Sequence, residues 1–324
     1  MIVPQYIRKI SLTVGDEAEA IDLSDLRIRF SVRRGDYQTP NSADIRVYNV
    51  STQTALKVDR EFTRIRLEAG YEGSYGLIFE GTVKQVRPGR ESQTDTYIDI
   101  TAADGDAAYN FAFISTTLVA GATPTDQINA CAKAMESYGV TSPELPPNLP
   151  VWALPRGVAM FGLVRDQLAD ISRTIGCSWS IQDGRLTIVP ENGYLEGGAA
   201  VINSATGMIG LPEQVQNGIN VKMLLNPNVK IGRSLQINNS SIQQYRFGIS
   251  VADQAQNYAI DMQNRTNSDG FYKVFTATHY GDTRENDWYT EAQCLSIDIT
   301  VVQSKTVSAM TPGVISSEGA IKYW

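Results

Sequence analysis

The sequence predicts a mainly β protein that contains a small α/β module. Apolar and polar residues alternate in short stretches near both ends of the chain, a period typical of strands with one buried face. In the middle, apolar residues recur at helical spacing instead. These observations predict two β-barrel-like domains flanking a helix–helix–hairpin insertion. We expect the first barrel in residues 1–115, the α/β module in 116–198, and the second barrel with a C-terminal tail in 199–324.

The alternation is clearest in residues 42–106. Within the run 64–69, Ile65, Leu67 and Ala69 alternate with charged residues, and the runs 44–50 and 94–102 behave in the same way. The connections are too short for helical crossovers, so these strands are expected to pair antiparallel. Alternating runs at 6–14 and 26–32 precede them. Together they predict a closed or nearly closed barrel, interrupted by one short helix that Ser51 caps.

A polar stretch with the sequence VRPGRESQTD separates two of the long strands. Its Arg87-Pro88-Gly89-Arg90 segment has the residues of a tight turn, and it predicts a hairpin tip that projects from the barrel. We predict that Arg87 and Arg90, at this tip, are assembly contacts.

Two helices and a hairpin are predicted in the middle of the chain. The first helix covers residues 124–138, after Thr123 or Thr125 as its cap, and Gly139 ends it. The second covers residues 158–175, and its apolar stripe should be buried: Phe161, Val164, Leu168, Ile171 and Ile175. A Gln182-Asp183-Gly184 turn then joins two short strands. Further strands are expected at 201–202, 218–225, 234–238, 270–279 and 291–302, with a short helix or long loop at 244–262.

The net charge of −7 and the pI of about 4.9 argue against a protein that binds nucleic acid without regard to sequence. Such a protein needs a basic face that releases counterions. Basic residues do cluster at Arg27, Arg29, Arg33 and Arg34, but apolar residues lie between them. We interpret this cluster as the solvent-facing side of a strand.

No catalytic, cofactor or metal site is predicted. The single histidine, His279, lies in a strand-like run with Asp282 close by, and a structural histidine is the favoured interpretation. The odd, scattered cysteines Cys131, Cys177 and Cys294 resemble buried core residues made in a reducing cytoplasm. The N-terminal residues do not look like a signal peptide, and no run is apolar enough to span a membrane.

Three stretches resemble the tail or baseplate hub family of tailed bacteriophages. The first is the series NSADIRVYNVS, a strand ending in AGY, LIFEGTVKQV and a strand ending in AADGD. The second is TGMIGLPEQVQNGINVKMLL, followed by Asn226-Pro227, and the third is YKVFTATHYGDTRENDWYT. None of the three is diagnostic alone; the resemblance rests on their occurring together in this order.

The resemblance implies a structural virion protein of the phage tail baseplate that is not an enzyme. It implies a homotrimer in which two barrels per chain form a pseudo-sixfold ring. Such a ring joins the hexameric tail tube to the central trimeric spike and lines the channel through which DNA passes without specific binding. The acidic net charge suits such a channel, because carboxylates repel phosphates.

Two other functions remain open at this point. One is a tail-associated cell-wall hydrolase, which would need a convergent site that the sequence does not show. The other is a carbohydrate-binding tail module, for which Tyr71, Tyr75, Trp288 and Tyr289 are the candidate platform.

Residues 304–324 have weak periodicity but finish with Ile321-Lys322-Tyr323-Trp324. Exposed aromatic residues favour association. We predict that Tyr323 and Trp324 are assembly contacts that dock on a neighbouring subunit or on the spike. Their return onto the barrel of their own chain is an equal alternative.

Overall fold

The computed structural model describes residues 6–16, 19–215, 218–237 and 270–296. The strands in these ranges are β1 (Arg8–Gly15), β2 (Ala20–Asp22), β3 (Ile28–Gly35), β4 (Ser42–Tyr48), β5 (Arg64–Tyr71), β6 (Ser74–Arg90), β7 (Thr96–Ala103), β8 (Phe113–Leu118), β9 (Thr141–Glu144), β10 (Val158–Leu163), β11 (Cys177–Gln182), β12 (Arg185–Pro190), β13 (Ala200–Ile202), β14 (Met208–Val215), β15 (Gly218–Leu224), β16 (Ser234–Ile237), β17 (Phe271–Asp282) and β18 (Trp288–Ser296). The α-helices are α1 (Thr52–Arg60), α2 (Asp106–Phe111), α3 (Pro124–Met135) and α4 (Val164–Ile175). The expected helix or loop at 244–262 lies outside the described residues.

One large sheet runs through both β regions, which confirms the mainly β fold. Its main path is β14-β15-β18-β17-β3-β4-β7-β6-β5-β1-β2, and β13 and β16 pair beside it. All the strand pairs along the main path are antiparallel. The two β regions meet where β3 pairs with β17, with Arg33 opposite Thr278. This pairing joins strands more than 230 residues apart in the sequence. Local sequence patterns do not predict it.

The first β region is curled around one core. Leu12 of β1 and Phe30 of β3 come from strands well separated along the sheet path, yet both belong to the same buried cluster. Ile45, Leu67 and Ile100 of the intervening strands also belong to it. A flat sheet would not bring its distant strands to one cluster, so this region is barrel-like. Ser51 caps α1 as expected, by accepting a hydrogen bond from the backbone N–H of Thr54.

The second β region has its own buried cluster, which includes Val221, Val274 and Cys294. Where β18 begins, this region packs into the core of the first β region. Trp288 is 1% exposed, belongs to the first cluster, and donates from Nε1 to the carbonyl oxygen of Gly70 at 3.1 Å. Its ring meets Phe30 edge-on at 5.3 Å between centroids. The two β regions are therefore packed together as well as hydrogen-bonded.

The α/β module lies between the two β regions in sequence and has a third buried cluster. Thr123 and Asp126 form a reciprocal capping box at the start of α3. Ile128, Cys131 and Met135 of α3 are buried, whereas Tyr138 is 40% exposed. Gly176, with φ of 64°, ends α4 in the left-handed conformation that favours glycine. The predicted hairpin is confirmed as β11 and β12.

The second predicted helix begins later than expected, at Val164. Residues 158–163 form β10, which pairs with β8, so Phe161 faces solvent and is 72% exposed. Gly162, with φ of 129°, interrupts any helix at this point. The prediction that Phe161 is buried was therefore wrong, whereas Val164, Leu168 and Ile171 are buried as expected.

The predicted hairpin tip at Arg87–Arg90 was also wrong. These residues continue β6 and pair with β7, with Pro88 opposite Ile98, and the turn lies at residues 91–95. Only residues 74–82 of β6 pair with β5. Beyond them, no strand of the described residues pairs with this edge of β6. Proline is tolerated on such an edge because its missing N–H breaks no bond there.

Candidate functional site: a buried junction and a polar sheet face

Three parts of the chain meet at Asp183, in the turn of the β11–β12 hairpin. The Asp183 carboxylate lies 2.9 Å from the Arg34 guanidinium of the first β region. It lies 3.1 Å from the Lys230 ammonium of the second β region. Burial raises the pKa of Asp183, but the charges of Arg34 and Lys230 outweigh burial and hold that pKa below its usual value. The hairpin of the α/β module is thus held electrostatically by both β regions.

Arg34 is nearly inaccessible and makes hydrogen bonds to two further groups. Nη1 donates to the carbonyl oxygen of Ile78 at 3.0 Å, and Nη2 donates to Oε1 of Gln182 at 3.2 Å. Asn41 also donates to Oε1 of Gln182, and Nε2 of Gln182 donates to the carbonyl oxygen of Gly35. A buried guanidinium needs such partners, because leaving it unpaired carries a large desolvation penalty.

The expectation that Arg34 is solvent-facing was wrong, and a signal for its burial exists in the sequence. Ile28, Phe30 and Val32 alternate along β3 and are buried, and Arg34 continues their phase. Arg29 and Arg33 occupy the opposite phase and are exposed, as predicted. The Arg33-Arg34 pair must place one arginine inward, because successive strand residues point to opposite faces.

Asp104 fixes the same hairpin from the first β region. Its carboxylate accepts backbone hydrogen bonds from Gly184 at 2.9 Å and from Asp183 at 2.5 Å. Burial raises the pKa of Asp104 to about 7, although these N–H donors act in the opposite direction. No local pattern in the sequence indicates this contact, because Asp104 and the hairpin turn are about 80 residues apart.

His279 is a buried residue of β17 that contacts Thr290 of β18. It is 1% exposed, and its Nδ1 lies 2.8 Å from Oγ1 of Thr290. This hydroxyl accepts from the backbone N–H of Asn226, so its own hydrogen can be donated to Nδ1. Burial, followed by the charges of Arg34 and Lys230, lowers the pKa of His279 to about 3. Asp282 does not orient it, because the Asp282 carboxylate binds Arg27 at 2.8 Å.

The second feature is a solvent-facing surface that crosses both β regions. Strand registers place Lys222, Glu291, Thr278 and Arg33 side by side on β15, β18, β17 and β3. The adjacent strands continue this surface as far as β6. We call it the polar face and define it by these residues: Arg29, Arg33, Asp44, Arg46, Gln85, Arg87, Asp99, Thr101, Lys222, Thr278, Tyr280, Tyr289 and Glu291.

The charges of the polar face are arranged in cross-strand pairs. Arg46 and Asp99 form two hydrogen bonds of 2.7 and 2.9 Å. Lys222 lies 3.0 Å from Glu291, whose other neighbour is the Tyr280 hydroxyl at 2.7 Å. A looser pair of 3.9 Å joins Arg33 and Asp44. Two depressions of about 770 and 450 Å³ lie over this surface.

The predicted site residues fall in different places. Arg87 belongs to the polar face, opposite Asp99, whereas Arg90 lies opposite Thr96 on the other side of β6. Tyr323 and Trp324 lie outside the described residues. Cys131, Cys177 and Cys294 are free and buried, as expected. Of the proposed carbohydrate platform, Tyr71 and Trp288 are buried, so they cannot offer a stacking surface.

Two further features are absent from the part of the chain that the structure describes. No group of three or more His, Cys, Asp or Glu residues there is arranged to hold a metal ion. No helix there is long and apolar enough to cross a membrane.

Comparison with protein families supplies one match over most of the chain. Residues 7–245 match the family described as baseplate hub gp41. A search of curated proteins finds no match.

Solved structures of low sequence identity share the fold. The 43 kDa tail protein of prophage MuSo2 from Shewanella oneidensis is 9% identical, with a TM-score of 0.54, and the match covers 91% of this chain and all of that one. A tail protein from Neisseria meningitidis is 10% identical, with a TM-score of 0.54, over 90% of this chain and 97% of that one. A type VI secretion component of Escherichia coli, described as structurally similar to the T4 tail proteins gp27 and gp5, is 10% identical, with a TM-score of 0.50, over 90% and 77%.

Proposed function

Because the chain belongs to the baseplate hub gp41 family, we propose that three copies form a ring that joins the hexameric tail tube of a phage to its central trimeric spike. The ring would be part of the virion baseplate. Two β regions per chain give a trimer six similar units, which suits a sixfold tube on one side and a threefold spike on the other. The duplication of the β regions and their boundaries at residues 115 and 198 are part of this proposal.

The observation that carries the proposal is the polar face. It crosses both β regions without interruption, because β3 and β17 pair directly. A channel wall of a ring needs a continuous wetted surface from every unit, and separate barrels would leave gaps. We assign the polar face to the channel through which DNA passes, with the buried clusters behind it.

The proposed ring is structural rather than enzymatic. His279 is buried and bonded to Thr290, and Asp282 is paired with Arg27. Neither group is free to act as a general base toward a substrate at the surface. Purified protein added to cell walls should leave their turbidity unchanged, and a clearing of the walls would favour the hydrolase function instead.

The trimer is tested by mass in solution and in the particle. Sedimentation at micromolar concentrations should give three times the 35.6 kDa of one chain. A monodisperse monomer, found also in assembled particles, contradicts the proposal.

The channel assignment has a separate test. The cysteines of the described chain are buried, so Thr101→Cys introduces one reactive thiol on the polar face. This thiol should react with a maleimide carried on a bulky polymer in the free chain but be protected in the ring. Equal labelling of the free chain and the ring would remove the polar face from the channel wall.

A further inference from the structure

The charge of the polar face differs from that of the whole chain. The chain carries −7, but the polar face combines the cations Arg29, Arg33, Arg46, Arg87 and Lys222 with the carboxylates Asp44, Asp99 and Glu291. The expectation that the net acidity of the chain would repel DNA from the channel therefore does not describe this surface. A wall with this many cations needs another reason not to hold phosphates.

The carboxylates supply that reason, because each one faces a cation. Asp99 binds Arg46 through both of its oxygens and lies opposite Arg87. Asp44 lies within 3.9 Å of Arg33. Glu291 accepts from Tyr280 and from Lys222, and these contacts, in that order of size, lower the pKa of Glu291. Glu291 is therefore ionised at neutral pH.

We propose that Asp44, Asp99 and Glu291 keep the polar face from binding the phosphates of duplex DNA, so that the duplex moves along the wall without being held. This inference rests on the proposed function, in which the polar face lines the channel. Binding of duplex DNA is driven by cations that replace the counterions of its phosphates. An arginine or lysine already neutralised by a carboxylate contributes little to this exchange.

Removing the carboxylates should therefore turn the surface into a DNA-binding one. The variant Asp44→Asn/Asp99→Asn/Glu291→Gln keeps the size of each side chain and frees Arg33, Arg46 and Lys222. With about three to five phosphate contacts, its affinity for a duplex should fall about 40- to 500-fold between 50 and 200 mM salt, from a slope of about −0.9 per phosphate. The wild-type chain should show little binding at 50 mM salt.

A matched control distinguishes the effect of the polar face on DNA binding from the effect of the altered net charge. The variant Glu19→Gln/Glu68→Gln/Glu80→Gln alters the charge equally. It frees Lys57 and Arg66, whose ion pairs with these glutamates lie outside the polar face. It should bind duplex DNA far more weakly than the first variant does. Circular dichroism and urea denaturation establish that both variants are folded.

Binding is measured by fluorescence anisotropy with a labelled duplex of 20 base pairs, using the full chain. Strong binding by only the first variant supports the inference. Equal binding by both variants, strong binding by the wild-type chain, or no binding by a folded first variant overturns it. The sedimentation and labelling tests above do not depend on these outcomes. A trimer with a protected polar face and a non-binding first variant would therefore refute this inference alone.

Discussion

The guanidinium of Arg34 lies 2.9 Å from the carboxylate of Asp183, although 149 residues separate the two in the chain. The Arg34 side chain is 2% exposed and that of Asp183 is 20% exposed, so this ion pair is largely shielded from solvent. Lys230 reaches the same carboxylate from the second β region. One turn of the α/β module therefore contacts both β regions, in addition to the β3–β17 pairing that joins them directly.

Loss of Arg34 should be much more damaging than loss of its neighbour. Arg34→Met removes one partner of a buried network, and the Ile78 carbonyl and the Asp183 carboxylate both lose the hydrogen bond that Arg34 donates. We therefore expect a loss of about 3–5 kcal/mol in the free energy of unfolding. Arg33→Met is the control. Its side chain is 68% exposed and its ion pair is long, so the loss should stay below about 1 kcal/mol. Equilibrium urea denaturation measures both, and similar losses would show that the junction is not a stabilising feature.

The α/β module offers a second comparison within one segment. Leu168 is completely buried in α4, so Leu168→Ala should lower the free energy of unfolding by about 2–5 kcal/mol through the cavity it creates. Phe161 is 72% exposed, and Phe161→Ala should change it by less than about 1 kcal/mol. A larger loss for Phe161 than for Leu168 would contradict the strand assignment of residues 158–163.

His279 should make the stability of the isolated chain fall in acid. Its folded-state pKa of about 3 lies below the usual value of 6.5, so the unfolded chain binds a proton between these values and the folded chain does not. Its contribution to stability is therefore present above about pH 6.5 and is lost as pH falls toward 3. The variant His279→Gln lacks this pH dependence. Asp104 titrates in both proteins, so its effect cancels in the difference between their stabilities. The stability difference between wild type and variant should shrink from pH 7 to pH 4, and a constant difference would refute the assignment.

Removal of residues 321–324 tests the predicted contacts of Tyr323 and Trp324. If these aromatic residues dock on a neighbouring subunit or on the spike, the truncated chain should keep its melting temperature as a monomer while assembly with its partners weakens. Two buried aromatic rings contribute a few kcal/mol, at ~25 cal/mol per Å² of buried apolar area. A lower melting temperature of the isolated monomer would instead place them in the core of their own chain. Tyr323→Ser/Trp324→Ser is the matched variant that keeps the length of the chain.

The sequence by itself determined which side of most strands is buried and where several helices begin and end. Ile45, Ile65 and Ile98 are buried because period-2 alternation leaves a strand only one apolar face to cover. Ser51 and Thr123 mark the starts of α1 and α3, because their side chains satisfy backbone N–H groups that a helix leaves free. These signals are local, and each can be recognised within a few residues.

Only the tertiary structure decided which other segments of the chain these strands and helices contact. The β3–β17 pairing makes two β regions into one sheet, and it depends on backbone groups that every residue carries. Arg34 is buried because a turn from the α/β module supplies a partner for its charge, whereas the side chain of the adjacent Arg33 is 68% exposed and pairs with Asp44 at the surface. Residues 158–163 form a strand because they pair with β8, and because the positive φ of Gly162 is incompatible with a helix. Hydrogen bonds and ion pairs between segments far apart in sequence impose no repeating pattern on the residues around either partner. The sequence of one segment therefore does not reveal which distant segment it will contact.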